Sequence, residues 1–203
     1  MVSEITTSDI LDHLRVDSIT NYSYGARVTL TTVSSLRNNR EFRTELKAES
    51  PSESNHRNRI RDITQIVAKV QEDLQTIGRE SVGTSHSHVF YSLFTQLEQL
   101  SGCSECSQKT ILFISDLQQH SPDEFSALRR ADWSLLTANP EEIELHLDSI
   151  YPLNPELVTG IRVIFAHRPT TMVDDGRFYV MANFLKSYLS KKGIIVETRT
   201  SFN

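Results

Sequence analysis

Three histidines and one aspartate are the residues of this 203-residue chain best suited to chemistry. His86 and His88 flank Ser87, an i, i+2 pair suited to a transition metal, and His120 follows Asp116 by four residues. Gathered around one ion, Asp116, His86, His88 and His120 would make a metal-dependent hydrolase, which needs convergent nitrogen and carboxylate ligands with one position open. No HExxH motif, Gly-x-Ser-x-Gly elbow or phosphate loop accompanies them, so the default reading is loop histidines. His167-Arg168-Pro169 closes an apolar run, where an arginine suits an anionic group and a surface loop is again the default. Cys103 and Cys106 form the one CxxC. Zinc would need two further ligands at suitable spacing, and a thioredoxin-like pair would follow a strand and open a helix. This pair follows a helix and precedes a strand, which leaves a turn carrying two thiols, oxidised or not.

The elements that must position these residues are legible from periodicity. A short amphipathic helix begins near Thr7. Ala26 to Val33 alternates and is β-branched, and Phe42 to Leu46 follows a polar turn at Asn38-Asn39, which together predict an antiparallel pair at a sheet edge. Ile60, Ile63, Ile66, Val67, Val70, Leu74 and Ile77 recur at helical spacing, the clearest stripe in the chain. The small hydroxyl loop Gly83 to His88 leads into a second helix through Val89, Phe90, Leu93, Phe94, Leu97 and Leu100. Thr110 to Ile114 and Ile161 to Ala166 are apolar runs suited to buried parallel strands. A helix start is expected at Ser121-Pro122-Asp123-Glu124, and Glu142 to Leu147 alternates as a strand or an extended arm would. An amphipathic helix through Phe178, Met181, Phe184, Leu185, Tyr188 and Leu189, a Gly193 stop and a strand from Ile194 to Thr198 close the pattern. Strands alternating with helices imply a doubly wound α/β sheet in a single domain spanning residues 1–203.

Composition narrows the class. The chain is 38% hydrophobic and 23% charged, an ordinary globular balance. A formal net charge of −5 argues against nucleic-acid binding by bulk charge. No apolar stretch is long enough for a membrane helix and the first residues lack a signal peptide's pattern, so the expectation is a soluble chain, with the cytoplasm favoured. Arg37, Arg40, Arg43, Arg57, Arg59 and Arg61 are interleaved with Glu41, Glu45, Glu49 and Glu53, which reads as a solvated face of mixed charge. Trp133 reads as a packing residue.

Ser87 opening a helix, the strand Thr110 to Ile114 ending in Ser115-Asp116-Leu117, and Gly160 to Ile164 before a closing helix and glycine-turn-strand together resemble the von Willebrand factor A-like fold. The match in order and spacing covers most of the chain. The resemblance implies a mostly parallel, Rossmann-like sheet with an antiparallel edge strand and a divalent cation at the carboxyl end of the sheet. In that family the cation is held by a DxSxS sequence after the first strand, a Thr or Ser in a later loop, and an Asp ending the fourth strand. Such hard oxygens suit Mg²⁺. Ser87, with Val89 two positions on, matches the middle loop and Asp116 matches the final Asp. No DxSxS occurs, and the strand that should carry it is missing ahead of the Asp9 to Leu14 helix. The expectation is a chain lacking its first strand, with Val2 to Thr6 as a stunted strand the alternative. Loss of that central strand would leave a gap of roughly 10 Å between its neighbours.

The reading that follows is a non-enzymatic interaction module. It would bind a protein partner at the sheet's carboxyl edge through Ser87 and Asp116, Mg²⁺-dependent if the site is complete, with Ser85, His86, His88, His120, His167 and Arg168 as partner-binding candidates. The resemblance further suggests bacterial multi-protein machinery, an analogy from fold. The alternatives are the metal-dependent hydrolase and a structural subunit whose sheet is completed by a strand from another chain.

Overall fold

A computed structural model describes residues 25–32, 40–49, 55–80, 87–121, 125–167 and 171–199. The helix expected near Thr7 and the Val2 to Thr6 segment lie outside these residues. The described residues group into two compact units.

In the first unit, β1 (Ala26–Thr31) pairs antiparallel with β2 (Glu41–Leu46) in the register Ala26↔Leu46 through Thr31↔Glu41. A Cβ at Gly25 would lie 2.8 Å from the Leu46 carbonyl oxygen and 3.0 Å from the Ala48 amide nitrogen, so glycine lets β1 begin close against the end of β2. Helix α1 (His56–Glu80) packs against both strands. Its start is fixed by Asn55, whose Oδ1 accepts the Asn58 N–H at 3.0 Å. The apolar stripe of α1 is graded: Val70 is fully buried whereas Ile60 is 41% exposed. Arg59 departs from the expected solvated face. It is fully buried, with its Nη1 donating to the Lys47 carbonyl at 2.8 Å, so this guanidinium ties α1 to the end of β2.

The second unit holds a three-stranded parallel sheet in the order β3 (Thr110–Ile114), β4 (Arg162–Ala166), β5 (Ile195–Arg199). Thr110 sits beside Arg162 and Arg162 beside Ile195, so partners in one row share a face. Helix α2 (Val89–Ser101) precedes β3. Helices α3 (Arg130–Ala138), α4 (Pro140–Ile150) and α5 (Pro155–Val158) lie between β3 and β4, and α6 (Met172–Ser190) lies between β4 and β5. One face of the sheet, carrying Ile111, Phe113, Val163, Phe165 and Val196, forms a continuous core with buried residues from all five of these helices. Ile164 and Ala166, on the opposite face of β4, are buried but lie outside that core. Trp133 packs against its margin, as a packing residue should.

The stretch Glu142 to Leu147, read from its alternation as a strand or extended arm, is instead part of helix α4. Pro140 occupies the first turn with Glu141 and Glu142, where a fixed φ and negative charge favour a helix start. Ile143 and Leu147, one helical turn apart, are 3% and 1% exposed, whereas Leu145 is 70% exposed. The alternation was an accident of Leu145. The helix start expected at Ser121 is also displaced: residues 122–124 lie outside the described set and the next helix begins at Arg130.

Thr171 caps α6 by accepting the Asp174 N–H at 3.1 Å. Gly193 follows the end of that helix with φ +81°, and a Cβ there would lie 2.5 Å from Thr159 Oγ1, so the expected glycine stop is required twice over. Cys103 and Cys106, in the turn between α2 and β3, form a disulfide. No helix is long and apolar enough to cross a membrane among the described residues.

Candidate functional site

Parallel strands place all their carboxyl ends at one edge, which is where open α/β sheets collect ligands. The chain leaves β3 there through a tight sequence of local bonds. Ser115 Oγ accepts the Leu117 N–H and Asp116 Oδ1 accepts the Gln118 N–H, each at 3.0 Å. Leu117 adopts φ +58° while its side chain is fully buried, so core packing holds a backbone conformation that leucine alone would avoid.

Beyond this reversal, the loop is cross-braced. His120 and Ser87 exchange both backbone bonds, at 2.8 and 3.1 Å, and Ala127 N–H donates to the Gln119 carbonyl at 2.8 Å. The side chains repeat the pattern: His120 Nδ1 lies 2.8 Å from Ser126 Oγ, and Asp132 Oδ2 accepts from the Ser126 N–H at 2.7 Å and from Arg129 Nε at 2.8 Å. Gln119, fully buried, reaches back to α2, where its Oε1 accepts the Phe90 N–H at 3.1 Å. His88 stands at the cap position of α2 but makes no side-chain cap. Gln119 therefore caps that helix from a distant part of the chain.

Of the candidate residues, the structure brings Ser87 and His120 into direct backbone pairing, with His88 next to them at the start of α2. Asp116 is half-buried and accepts the Gln118 N–H within its own turn. His167 lies at the end of β4 on the same edge, 4% exposed, with its N–H donating to the Arg199 carbonyl at 3.1 Å and its ring 4.8 Å from that of Phe178. Ser85, His86 and Arg168 lie outside the described residues. Among the described residues, four buried polar atoms at this end have no hydrogen-bond partner: His88 Nδ1, Ser92 Oγ, Gln119 Nε2 and His167 Nε2. Among the described residues there is no group of three or more His, Cys, Asp or Glu side chains able to hold a metal ion.

Gln119, Ser126 and Asp132 were missed by sequence reasoning. Gln119 and Asp132 each accept a backbone N–H of another segment and Ser126 bonds the His120 ring, and no periodicity records those choices. The nearest available signal was the clustering of polar residues from Ser115 to Ser121 directly after an apolar strand.

Two further groups of charged side chains are paired in this unit. Arg162 meets Glu197 with two bonds of 2.8 Å across β4 and β5, and Arg199 adds a third at 3.5 Å. Burial alone would raise the Glu197 carboxyl, but the Arg162 and Arg199 guanidiniums outweigh it and hold the group below the ordinary carboxylate range. Between α4 and α6, Lys191 pairs with Glu144 and Lys192 with Asp148, each at 2.7 Å, while Tyr188 donates to Asp148 at 2.7 Å. Burial again opposes ionisation of Asp148, and the bonds from Lys192 and Tyr188 reverse it, leaving the carboxyl below its ordinary value. Burial, then the bond to Asp148, pushes the Tyr188 phenol well up.

Compared with family models, curated proteins and solved structures, the chain matches none. Its own geometry defines a mixed α/β protein with a three-stranded parallel sheet flanked by helices, a separate antiparallel strand pair, and a braced loop system at the sheet's carboxyl edge.

Proposed function

We propose that this chain is a non-enzymatic protein-interaction module of the von Willebrand factor A-like, doubly wound type, which takes a protein partner at the carboxyl edge of β3, β4 and β5. The supporting observation is the bracing of the loop after β3 by Ser87, Gln119, His120, Ser126 and Asp132, which fixes a loop whose Leu128 side chain is 56% exposed. At the start of α6, which follows the carboxyl end of β4, Met172 and Val173 are 93% and 66% exposed. Fixed backbone with exposed apolar side chains suits recognition, because little ordering entropy remains to be lost on binding.

A divalent cation enters this reading as a shared ion. Ser87 and Asp116 offer a hydroxyl and a carboxylate, both hard oxygens, but two protein oxygens fall short of a site that holds Mg²⁺ unaided. A partner carboxylate would complete the shell.

A photo-crosslinking residue placed at Leu128 or Met172 in the producing cells is expected to give one defined protein adduct, while the same residue at Leu145, exposed on α4, gives none. Equal labelling at all three positions, or none at the edge, overturns the reading. Loss of the adduct with EDTA and with Asp116→Ala would assign the cation a part, and an adduct indifferent to both removes it.

A further inference from the structure

The outer side of β3 is a second surface, separate from the carboxyl edge. Among the described strands, β3 stands at one end of the sheet order. The Arg162 N–H donates to the Lys109 carbonyl at 2.9 Å and the Ser115 N–H to the Ala166 carbonyl at 3.1 Å. Alternate residues from 109 to 115 therefore face β4, and the backbone groups of Thr110, Leu112 and Ile114 point away from it. Among the described residues, none of these three meets a backbone partner on that side.

The two edges of the sheet are built differently. β5 carries Glu197 and Arg199, tied to each other and to Arg162, and charge on an edge strand discourages pairing with another chain. β3 reads Thr-Ile-Leu-Phe-Ile, with no charge, proline or glycine. It pairs in unbroken register with β4, so no bulge twists it away either. Leu112 and Ile114 on its open side are only half-buried. Among the described residues this edge carries none of the usual protection, which suits it to being paired.

We propose that β3 pairs antiparallel with β3 of a second copy of this chain, about a twofold axis at Leu112, so that two three-stranded sheets join into one. The strand is complementary to itself in that register. Leu112 meets its own counterpart, Thr110 meets the counterpart of Ile114, and each of the three residues exchanges both of its outward bonds across the seam. Because β3 carries no charge, no like charges meet there. Half-buried Leu112 and Ile114 gain apolar neighbours on the same face.

The test is the mass of the full chain by light scattering after gel filtration at micromolar concentration. Twice 23.1 kDa is expected. Thr110→Pro removes an outward N–H while sparing every bond to β4, and Leu112→Lys places a charge on the seam. Each should raise the dimer dissociation constant roughly tenfold or more. Leu112→Cys should cross-link the dimer on oxidation, since the paired Cα atoms lie about 5.5 Å apart, within reach of a disulfide. Thr110 is exposed, so Thr110→Pro keeps the test valid should Leu112→Lys fail to fold. A monomer from the unmodified chain overturns the proposal, and so does a dimer that Thr110→Pro leaves intact. Covering of the edge by another segment of the same chain would give that monomer. The crosslinks at Leu128 and Met172 concern a different surface and should survive Thr110→Pro, so the two readings fail separately.

Discussion

The loop after β3 and the seam between α4 and α6 solve the same problem, holding two segments in one arrangement, with opposite materials. The loop relies largely on polar groups held inside the fold: Gln119 on Phe90, His120 on Ser126 and paired backbone bonds to Ser87. The seam uses Glu144, Asp148, Lys191 and Lys192, with Tyr188 beneath them. Breaking a buried bond is expensive, because an orphaned donor costs about 1–3 kcal/mol, whereas partly exposed ion pairs are worth about 0–1 kcal/mol and weaken with salt. Shape is demanded at the carboxyl edge and mere adhesion between helices at the seam.

The sharpest way to break this contrast is at the base of the loop. Leu117→Ala removes a fully buried side chain that holds a left-handed backbone, and a loss of about 3 kcal/mol is expected in urea unfolding followed by fluorescence of Trp133, the one tryptophan. Next in size is Gln119→Ala, which strands the Phe90 N–H in the interior. It should lower stability by about 2 kcal/mol, with little response to salt. A loss below the size of one exposed ion pair would mean the loop is less fixed than its bonding suggests.

The smallest effect belongs to the seam. Asp148 has a depressed pKa in the folded chain, so its contribution to stability is present above the unfolded value, near 3.8, and is lost as the pH falls through the folded one. Because its side chain is 44% exposed, Asp148→Asn should cost about 0.5 kcal/mol at neutral pH, and less in high salt. Melting curves of the two proteins should converge in acid. A gap that persists at low pH would show that packing, not charge, carries the seam.

How far the fold could be read in advance depended on which signal each element carried. β3 and β4 are short apolar runs, and a strand with apolar neighbours on both sides leaves that mark directly in sequence. Helix α2 declared itself by Phe90, Leu93, Phe94 and Leu97, all buried. Helix α4 was misread because Ile143, Leu145 and Leu147 alternate, and only burial separates the two members that face the core from the one that faces water. Arg59 was read as solvated for a related reason: nothing in its neighbours announces a carbonyl waiting at Lys47. At the site, the position of His167 follows from its place directly after β4, whereas Ser87 and His120 meet through backbone bonds between two loops. The braces Gln119, Ser126 and Asp132 depend on the final path of the chain, which composition and spacing do not encode.

The disulfide between Cys103 and Cys106 closes a ring across a separation of only three residues. So small a ring removes little freedom from the unfolded chain, about 2 kcal/mol in the entropic model, and it constrains only the turn entering β3. The bridge joins no strand to a helix and no two helices to each other. The environment therefore acts on that turn: an oxidising one tightens the chain entering β3, and a reducing one leaves two thiols there.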